Sequence, residues 1–349
     1  MTRKNSFDFI RLLAAVAVIF SHSFALAGHP EPRIGGGTIG GLAVWIFFIL
    51  SGYLISKSWD QYPRFNVFFA KRILRIAPGL IIATVGVILI TGIFFTSLPL
   101  LEFFTNQQTL TYLNNIFLVN QSGTLPGVFV DNIYPLATNG PIWTLAYEFT
   151  MYITVALIGI LHIYKKIPPL AIWVALMVVV LLSITVGKDI PSITIFYLDI
   201  KLLSVLALMF FSGVMMHKYE NRIKLNTWVG FGSLVMFILL AALAPELMAI
   251  PAAVLLAYAI FAIGRHEHFS SVSKFGDFSY GLYIYAFPIQ QMIASITHTT
   301  STWKMFALSL FLTIIVSVAS WYFVESKALK WKDKINTKKY PLIQTDEAW

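Results

Sequence analysis

Long apolar stretches recur along the whole of this 349-residue chain, and they limit its fold more than any other feature of the sequence. About 20 mainly apolar residues in a helix cross the hydrocarbon core of a bilayer, where lipid offers no partner to exposed backbone groups. Apolar residues make up 58% of the chain and charged residues only 12%, too few to cover a soluble protein of this size. The sequence therefore predicts an all-α membrane protein.

Ten segments have the length and composition of membrane-spanning helices. We expect a polytopic bundle of about ten transmembrane helices, with residues 1–331 forming one domain and residues 332–349 a basic tail on lipid headgroups. A signal peptide is the alternative for the first segment. We interpret the segment as a membrane helix, because it is longer than the usual apolar region of a signal peptide and lacks an obvious small-residue cleavage site. The predicted spans are Phe7 to Leu26, Gly41 to Lys57, Ile76 to Ser97, Trp143 to His162, Pro169 to Val186, Ile200 to Met216, Trp228 to Leu243, Leu247 to Gly264, Asp277 to Thr297 and Trp303 to Val324.

The basic residues are divided unequally between the two sets of connecting segments. If the amino terminus is cytoplasmic, 21 of the 25 Lys and Arg residues lie in inner segments and four in outer ones. The positive-inside rule therefore predicts that both termini are cytoplasmic. The net charge of +9 then divides into +12 inside, −2 outside and −1 at Glu148, within a span. The four outer basic residues are Arg33, Lys188, Lys201 and Lys304.

The longest predicted connection, from Ser97 to Ile142, lies outside and contains no Lys or Arg. Loops of this length are uncommon unless they are functional or disordered. Its Asn, Gln, Thr and Tyr residues suit hydrogen bonding to a neutral polar ligand. The alternative is a solvated loop with an interfacial segment from Leu110 to Val119.

Cysteine is absent from the chain, which excludes a cysteine thioester intermediate and a thiolate metal site.

Two ionisable residues stand out in the first predicted helix. Arg11 and His22 are eleven residues apart, which places them on one face and about 17 Å apart along the axis. This separation suits a long anionic donor that is held near one membrane surface while its reactive end is delivered deeper. Taken singly, Arg11 could be an anchor that reaches the interface, and His22 a hydrogen-bonded residue between helices.

Further candidates lie in the second and third spans. Lys71, Arg72 and Arg75 stand together, and Arg72 and Arg75 share a helix face, so that their planar guanidinium groups suit phosphate. An ordinary positive-inside cluster is the alternative. In the second span the small residues Gly41, Ser51 and Gly52 predict a close approach of another helix.

Acidic residues near the later spans have two interpretations each. Glu148 lies about a turn and a half inside Trp143, which is expected at the interface, and a lone glutamate at that depth needs a partner. It indicates a polar cavity or, alternatively, a structural ion pair. Asp277 and Glu325 lie at predicted helix ends, where solvated or helix-start roles are expected.

Together these segments resemble membrane acyltransferase family 3, the integral-membrane enzymes of ten helices that modify bacterial surface carbohydrates. The resemblance covers nearly the whole chain, in the expected order. Two departures are present: Tyr285 or Ala286 stands where the family has a histidine in the ninth helix, and Glu325 is followed by Ser326 and Lys327 instead of an ExP pattern. The matching motifs are Arg11 with His22, FFILSGY at Phe47 to Tyr53, Arg72 and Arg75 with Pro78, and WTLAYE at Trp143 to Glu148.

The resemblance implies transfer of an acyl group, most often acetyl, from cytoplasmic acyl-CoA to a glycan hydroxyl outside the bacterial inner membrane. His22 would act as general base or carry the acyl group, and Glu148 would orient His22 or the acceptor. The implied partners are acyl-CoA, a carbohydrate acceptor and membrane lipid, with no nucleic acid, permanently bound cofactor or metal. The CoA phosphates would be held by Arg11, Lys71, Arg72 and Arg75, and the substrate channel lined by Ser51, Tyr53, Trp143, Tyr283 and Tyr285.

A transporter is the main alternative to this enzyme. Ten helices with a buried histidine and glutamate could also form a proton-coupled secondary transporter or an exporter of a polar solute. The sequence shows no inverted repeat and no matching pair of interrupted helices in its two halves, which argues against a transporter.

Overall fold

The computed structural model describes residues 5–266 and 276–337, with side chains as far as residue 331. Helices dominate it, because backbone donors and acceptors inside a membrane must pair within their own segment. Strands form two small antiparallel hairpins: β1 (Arg33–Ile34) pairs with β2 (Gly37–Thr38), and β3 (Thr194–Ile195) pairs with β4 (Leu198–Asp199).

The helices follow one another with short connections, except between the third and the sixth. The first half contains α1 (Phe7–Leu26), α2 (Ile39–Gln61), α3 (Phe65–Phe94), α4 (Leu100–Thr105), α5 (Gln107–Tyr112), α6 (Thr144–Ile160) and α7 (Pro169–Thr185). The second half contains α8 (Ile200–Lys218), α9 (Thr227–Leu243), α10 (Ala249–Pro251), α11 (Ala257–Gly264), α12 (Ser279–Thr297), α13 (Thr302–Ser320) and α14 (Ser326–Thr337). A π-helical turn over Ala252–Leu256 joins α10 to α11, and another over Trp321–Glu325 joins α13 to α14.

Seven helical segments in the described part of the chain are long and apolar enough to cross a membrane. The all-helical membrane fold is therefore confirmed, whereas the count of ten spans and the cytoplasmic placement of both termini stay predictions. The helices α7 and α9 are apolar but have only 17 residues each, and α12 carries buried tyrosines and glutamines that lower its hydropathy. The seven are Phe7–Leu26, Ile39–Gln61, Phe65–Phe94, Gly140–Ile160, Ile200–Lys218, Pro245–Gly264 and Thr302–Trp331.

Two helices extend well beyond their predicted spans. The span predicted from Ile76 was too short, since α3 begins at Phe65 and includes the basic cluster in its first turns. Hydropathy detects only the part of a helix that contacts lipid, so it misses a charged extension of the same helix. At the other end of the chain, helical structure continues from α13 through α14, across the domain boundary predicted at residue 331. Residues 338–349 of the predicted tail lie outside the described residues.

Local sequence signals account for where several helices begin. The side chain of Thr38 accepts a hydrogen bond from the backbone of Gly41 and caps α2. Asp199 and Asn226 cap α8 and α9 in the same way. These residue types satisfy backbone N–H groups that have no partner in the first helical turn. Pro169 occupies the first turn of α7, where its missing N–H costs nothing.

The helices α2 and α8 cross in direct backbone contact at two glycines. A Cβ atom on Gly52 would lie 1.8 Å from the carbonyl oxygen of Phe210, and one on Gly213 would lie 1.8 Å from that of Ile49. The predicted close approach at Gly52 is confirmed. At Gly41 it is wrong, because a Cβ atom there would meet only the capping side chain of the preceding turn.

We expect Gly52→Ala to destabilise the protein by about 1–3 kcal/mol or more, because α8 must move to accept the methyl group. The matched control is Gly86→Ala in α3, where a Cβ atom has no neighbour within 4 Å. Removing a glycine from the interior of a helix should there leave stability unchanged or raise it by about 0.5–1 kcal/mol. Thermal unfolding of the two variants in detergent measures the difference, and equal unfolding temperatures would contradict the prediction.

The segment between α3 and α6 forms a compact layer with its own small core. Phe103, Tyr112, Leu125 and Val128 are buried together against α3. The residues near 132–137 are bound to α12 through the buried side chain of Gln291. The predicted polar segment is thus a structured layer over one end of the bundle, and its binding of a ligand stays a prediction.

Candidate functional site

A cavity of about 380 Å³ opens between α1, α2, α3, α6 and α12. On α2 its lining runs from Val44 to Gln61, so it extends through much of the bundle. Most of its charged lining residues lie at the end where α3 begins. We call this end, with Arg11, Lys71, Arg72, Arg75 and Asp277, the arginine end. Three predicted site residues lie outside the lining, namely His22, Trp143 and Tyr285. The predicted residues that line it are Arg11, Ser51, Tyr53, Lys71, Arg72, Arg75, Glu148 and Tyr283.

At the arginine end, two of the predicted phosphate-binding residues are held by carboxylates. Asp277 accepts hydrogen bonds from Arg11 at 2.8 Å and from Arg75 at 2.6 Å. Arg75 also donates to Glu325 at 3.2 Å. Glu325 is only 2% exposed, so neither it nor Asp277 has the simple helix-end role expected from the sequence. Instead the two acids fix the arginines at the mouth of the cavity.

The other cations at this end have neutral neighbours. Arg72 donates to the hydroxyl of Ser58 at 3.4 Å. The ammonium of Lys71, a residue only 3% exposed, lies 3.4 Å from the centre of the Tyr62 ring. An ammonium over an aromatic face is held by the electrostatic field of the ring. The arginine end therefore brings four cations together, and two of them, Arg11 and Arg75, are paired with acids.

Glu148 lies on the cavity wall away from His22. Its carboxylate accepts hydrogen bonds from Ser51 at 2.7 Å and from Tyr152 at 2.6 Å. These two donors satisfy the half-buried charge that the sequence identified as needing a partner. Glu148 can accept a hydrogen bond from a ligand in the cavity, and it is not the carboxylate that contacts His22.

The far end of the cavity is lined by side chains from α2, α6 and α12. Phe47 and Tyr283 lie there with ring centres 5.6 Å apart. The hydroxyl of Tyr283 is hydrogen-bonded to Thr144 at 2.7 Å, at the start of α6. Phe287 lies one turn further along α12, about 6 Å beyond Tyr283, and its ring packs edge-on against His22 at 5.4 Å. One helical turn therefore separates the end of the cavity from the ring against which His22 packs.

His22 forms a pair with Glu31, a carboxylate that sequence analysis did not select. The Nδ1 atom of His22 lies 3.4 Å from an oxygen of Glu31, whose other oxygen accepts a hydrogen bond from Ser21. An ionised carboxylate only accepts hydrogen bonds, so Nδ1 carries the proton in this pair. The Nε2 atom then has a free lone pair, and among the described residues it has no hydrogen-bond partner.

Local structure brings Glu31 back over the end of α1. Glu31 lies between Pro30 and Pro32, whose rings restrict the backbone, and the β1–β2 hairpin returns the chain to α2. Gly40 allows this close return, because a Cβ atom there would lie 3.1 Å from Ser21. Burial alone would raise the pKa of Glu31, but hydrogen bonds from His22 and Ser21 outweigh it, and the pKa is below its ordinary value.

The two remaining predicted channel residues have structural contacts. Tyr285 is buried, and its hydroxyl lies 3.0 Å from Ser320 and donates to the carbonyl of Gly79 at 3.4 Å. It therefore links α12 to α3 and α13. The ring of Trp143 packs edge-on against Tyr147 at 5.4 Å and is partly exposed.

Comparison with known proteins identifies the family to which this chain belongs. A family model described as an acyltransferase domain matches residues 4–323. The chain belongs to this acyltransferase family. The acyltransferase is 31% identical over 332 residues to a protein of Shigella phage Sf6 named O-acetyl transferase, a match that covers 94% of this chain and 97% of the relative. It is 26% identical over 363 residues to a Rhizobium leguminosarum bv. viciae protein named Nodulation protein 10, with 94% of each chain covered. No solved structure matches the acyltransferase.

Family membership and the apolar helices together identify a multi-pass membrane acyltransferase. Membership favours acyl transfer over the transporter alternative.

Proposed function

We propose that this acyltransferase moves an acetyl group from acetyl-CoA, bound at the arginine end, to a hydroxyl of a carbohydrate at the His22 end. The observation that carries the proposal is the position of the cavity. It is lined by cations at one end and stops one helical turn short of the ring that contacts His22. The phage relative supports the choice of acetyl as the acyl group, because it is named an O-acetyl transferase.

The cations of the cavity are proposed to bind the phosphates of the donor. Lys71 and Arg72 both line the cavity, and Arg72 offers the planar group that pairs bidentately with phosphate. Arg11 and Arg75, held by Asp277 and Glu325, shape the mouth of the cavity and add a smaller share of attraction. The pantetheine arm would follow α2 past Glu148, whose carboxylate can accept a hydrogen bond from an amide of the arm.

His22 is the proposed catalytic residue, and Glu31 positions its ring. As a general base, Nε2 takes the proton of the acceptor hydroxyl while the hydroxyl oxygen attacks the thioester carbon. The carbon–sulfur bond then breaks, the ester bond remains, and the proton passes to the departing CoA thiolate. As a carrier, Nε2 itself attacks the thioester, and the carbon–sulfur bond breaks to release CoA thiolate. The acceptor hydroxyl then takes the acyl group from Nε2, and its proton passes to the thiolate. Both roles use the same nitrogen, and both need Glu31 to hold the proton on Nδ1.

The proposed reaction crosses the membrane. The positive-inside distribution favours a cytoplasmic arginine end, where acyl-CoA is available. His22 is accordingly proposed to lie toward the outer side of a bacterial inner membrane. The energy of the thioester is thereby used on an acceptor that CoA does not reach.

The test supplies acetyl-CoA labelled in its acetyl group to sealed inverted membrane vesicles containing the protein. The acceptor is surface polysaccharide, stripped of acyl groups, from cells lacking the protein and loaded inside the vesicles. We expect label in the polysaccharide and an acetyl-sized mass difference by mass spectrometry. Vesicles lacking the protein are the control. Absence of label in both vesicle orientations would overturn the proposal, and label only in right-side-out vesicles would reverse the orientation.

A further inference from the structure

The layer between α3 and α6 is fixed directly over the His22 end of the bundle. Gln291, fully buried on α12, donates to the carbonyl oxygens of Tyr134 at 2.8 Å and Ala137 at 2.6 Å. It also accepts a hydrogen bond from Asn132 at 2.7 Å. A buried amide that makes three such bonds gives this stretch of backbone one position relative to α12.

The same stretch approaches the end of α1. Gly28 has φ of +84°, and a Cβ atom on it would lie 3.1 Å from the side chain of Ile133. Gly28 lies between His22 and Glu31 in sequence, and the side chains of that pair are 23% and 21% exposed, so Ile133 and its neighbour Tyr134 lie near a pair that solvent can reach. This second contact is independent of Gln291.

Tyr134 is connected to His22 through a single ring. Its ring lies edge-on to Phe287 with centres 6.3 Å apart, and the Phe287 ring also packs edge-on against His22 with centres 5.4 Å apart. Tyr134 is nevertheless 46% exposed, and its hydroxyl has no hydrogen-bond partner among the described residues. The backbone of Tyr134 is fixed while its ring and hydroxyl are exposed, so the side chain is available to bind a ligand outside the protein.

The surroundings indicate the chemistry of that ligand. The segment from Ser97 to Ile142 contains no Lys or Arg, and the partly exposed Glu31 places a negative charge beside His22, so an anionic ligand is disfavoured. Sugar rings present an apolar C–H face to an aromatic side chain and hydroxyl groups at their edges. An exposed tyrosine can contact the C–H face of a sugar with its ring and a sugar hydroxyl with its own hydroxyl group.

We propose that Tyr134 is the binding platform for an uncharged sugar residue of the acceptor, which stacks on its ring and directs a hydroxyl toward Nε2 of His22. This inference rests on the proposed carbohydrate acceptor and deepens it by naming the surface that binds the sugar. Gln291 is a positioning residue for Tyr134, and Phe287 sets the spacing between the sugar and His22.

The experiment measures KM for both substrates with labelled acetyl-CoA and the stripped surface polysaccharide. Tyr134→Ala is expected to raise KM for the polysaccharide about tenfold, with KM for acetyl-CoA unchanged. Tyr134→Phe keeps the ring and should stay close to the unmodified protein. The matched control is Tyr197→Ala, which removes a tyrosine that is 61% exposed at the tip of the β3–β4 hairpin, and it should change neither KM.

An unchanged polysaccharide KM in Tyr134→Ala would overturn the platform. So would equal losses in Tyr134→Ala and Tyr197→Ala, because these would assign both rings to general contact with lipid. A parallel rise in KM for acetyl-CoA would assign Tyr134 a structural role and would also overturn it. Failure of the carbohydrate proposal itself is recognised separately, since the unmodified protein would then transfer no label to the polysaccharide.

Discussion

His22→Ala is expected to lower kcat for acetyl transfer by about 10²–10⁴-fold, the range that a positioned acid–base group contributes. KM for acetyl-CoA should stay unchanged, because His22 does not line the cavity. The protein should also fold normally, since His22 makes one polar contact with the described residues, the long one to Glu31 at 3.4 Å. The measurement is transfer of labelled acetyl to polysaccharide, together with thermal unfolding in detergent.

Glu31→Gln separates the two members of the pair. The amide keeps the shape of the side chain but loses the charge that holds the proton on Nδ1, so kcat should fall by about 10–100-fold. Because the pKa of Glu31 is lowered, its charge is present at neutral pH and is lost only as the pH falls through that lowered value. The unmodified protein should therefore keep the contribution of Glu31 at mildly acidic pH. The control is Glu246→Gln, at an exposed acid outside both sites, which should have no effect.

Wild-type transfer by His22→Ala would contradict the mechanism outright. A full rate in Glu31→Gln with a large loss in His22→Ala would keep His22 as the reacting group and would remove Glu31 from the mechanism. A loss in both variants that is accompanied by a lower unfolding temperature would indicate damage to the fold at this end of the bundle.

The sequence predicted the helices better than the contacts between their side chains. Apolar length is a local property, so α1 was predicted with its observed bounds, and the small residue Gly52 was correctly expected at a helix crossing. Arg11 and His22 were expected on one face of α1 with a donor between them. The structure separates their environments, because Arg11 lines the cavity while His22 lies beyond its far end.

The side-chain pairs that sequence analysis missed join residues that are far apart in sequence or that meet because the chain folds back. Glu31 meets His22 only because the β1–β2 hairpin folds back over α1. Asp277 and Glu325 meet Arg75 across 202 and 250 residues. The periodic pattern of a helix does not predict such long-range pairs. A local signal was present for Glu31, because an acid between Pro30 and Pro32 lies in an unusually rigid stretch of backbone.

The pairing of Arg75 predicts that it and Arg72 differ sharply, although they are three residues apart on one face of α3. Arg75→Ala leaves Glu325 buried without its charge partner and is expected to cost about 3–5 kcal/mol of stability. Arg72→Ala removes a guanidinium that lines the cavity and donates to Ser58, so its main expected effect is a rise of about 10–100-fold in KM for acetyl-CoA. Thermal unfolding in detergent and KM for acetyl-CoA are measured on both variants.

A second substitution distinguishes charge burial from donor binding at Arg75. Glu325→Gln in the Arg75→Ala protein removes the unpaired charge, so it should restore most of the lost stability, and the two substitutions should be strongly non-additive. It should not alter KM for acetyl-CoA, because Glu325 acts through Arg75 and does not line the cavity. If Arg72→Ala and Arg75→Ala instead raise KM equally and unfold at the same temperature, both arginines bind phosphate, and the pairs with Asp277 and Glu325 must open when the donor enters.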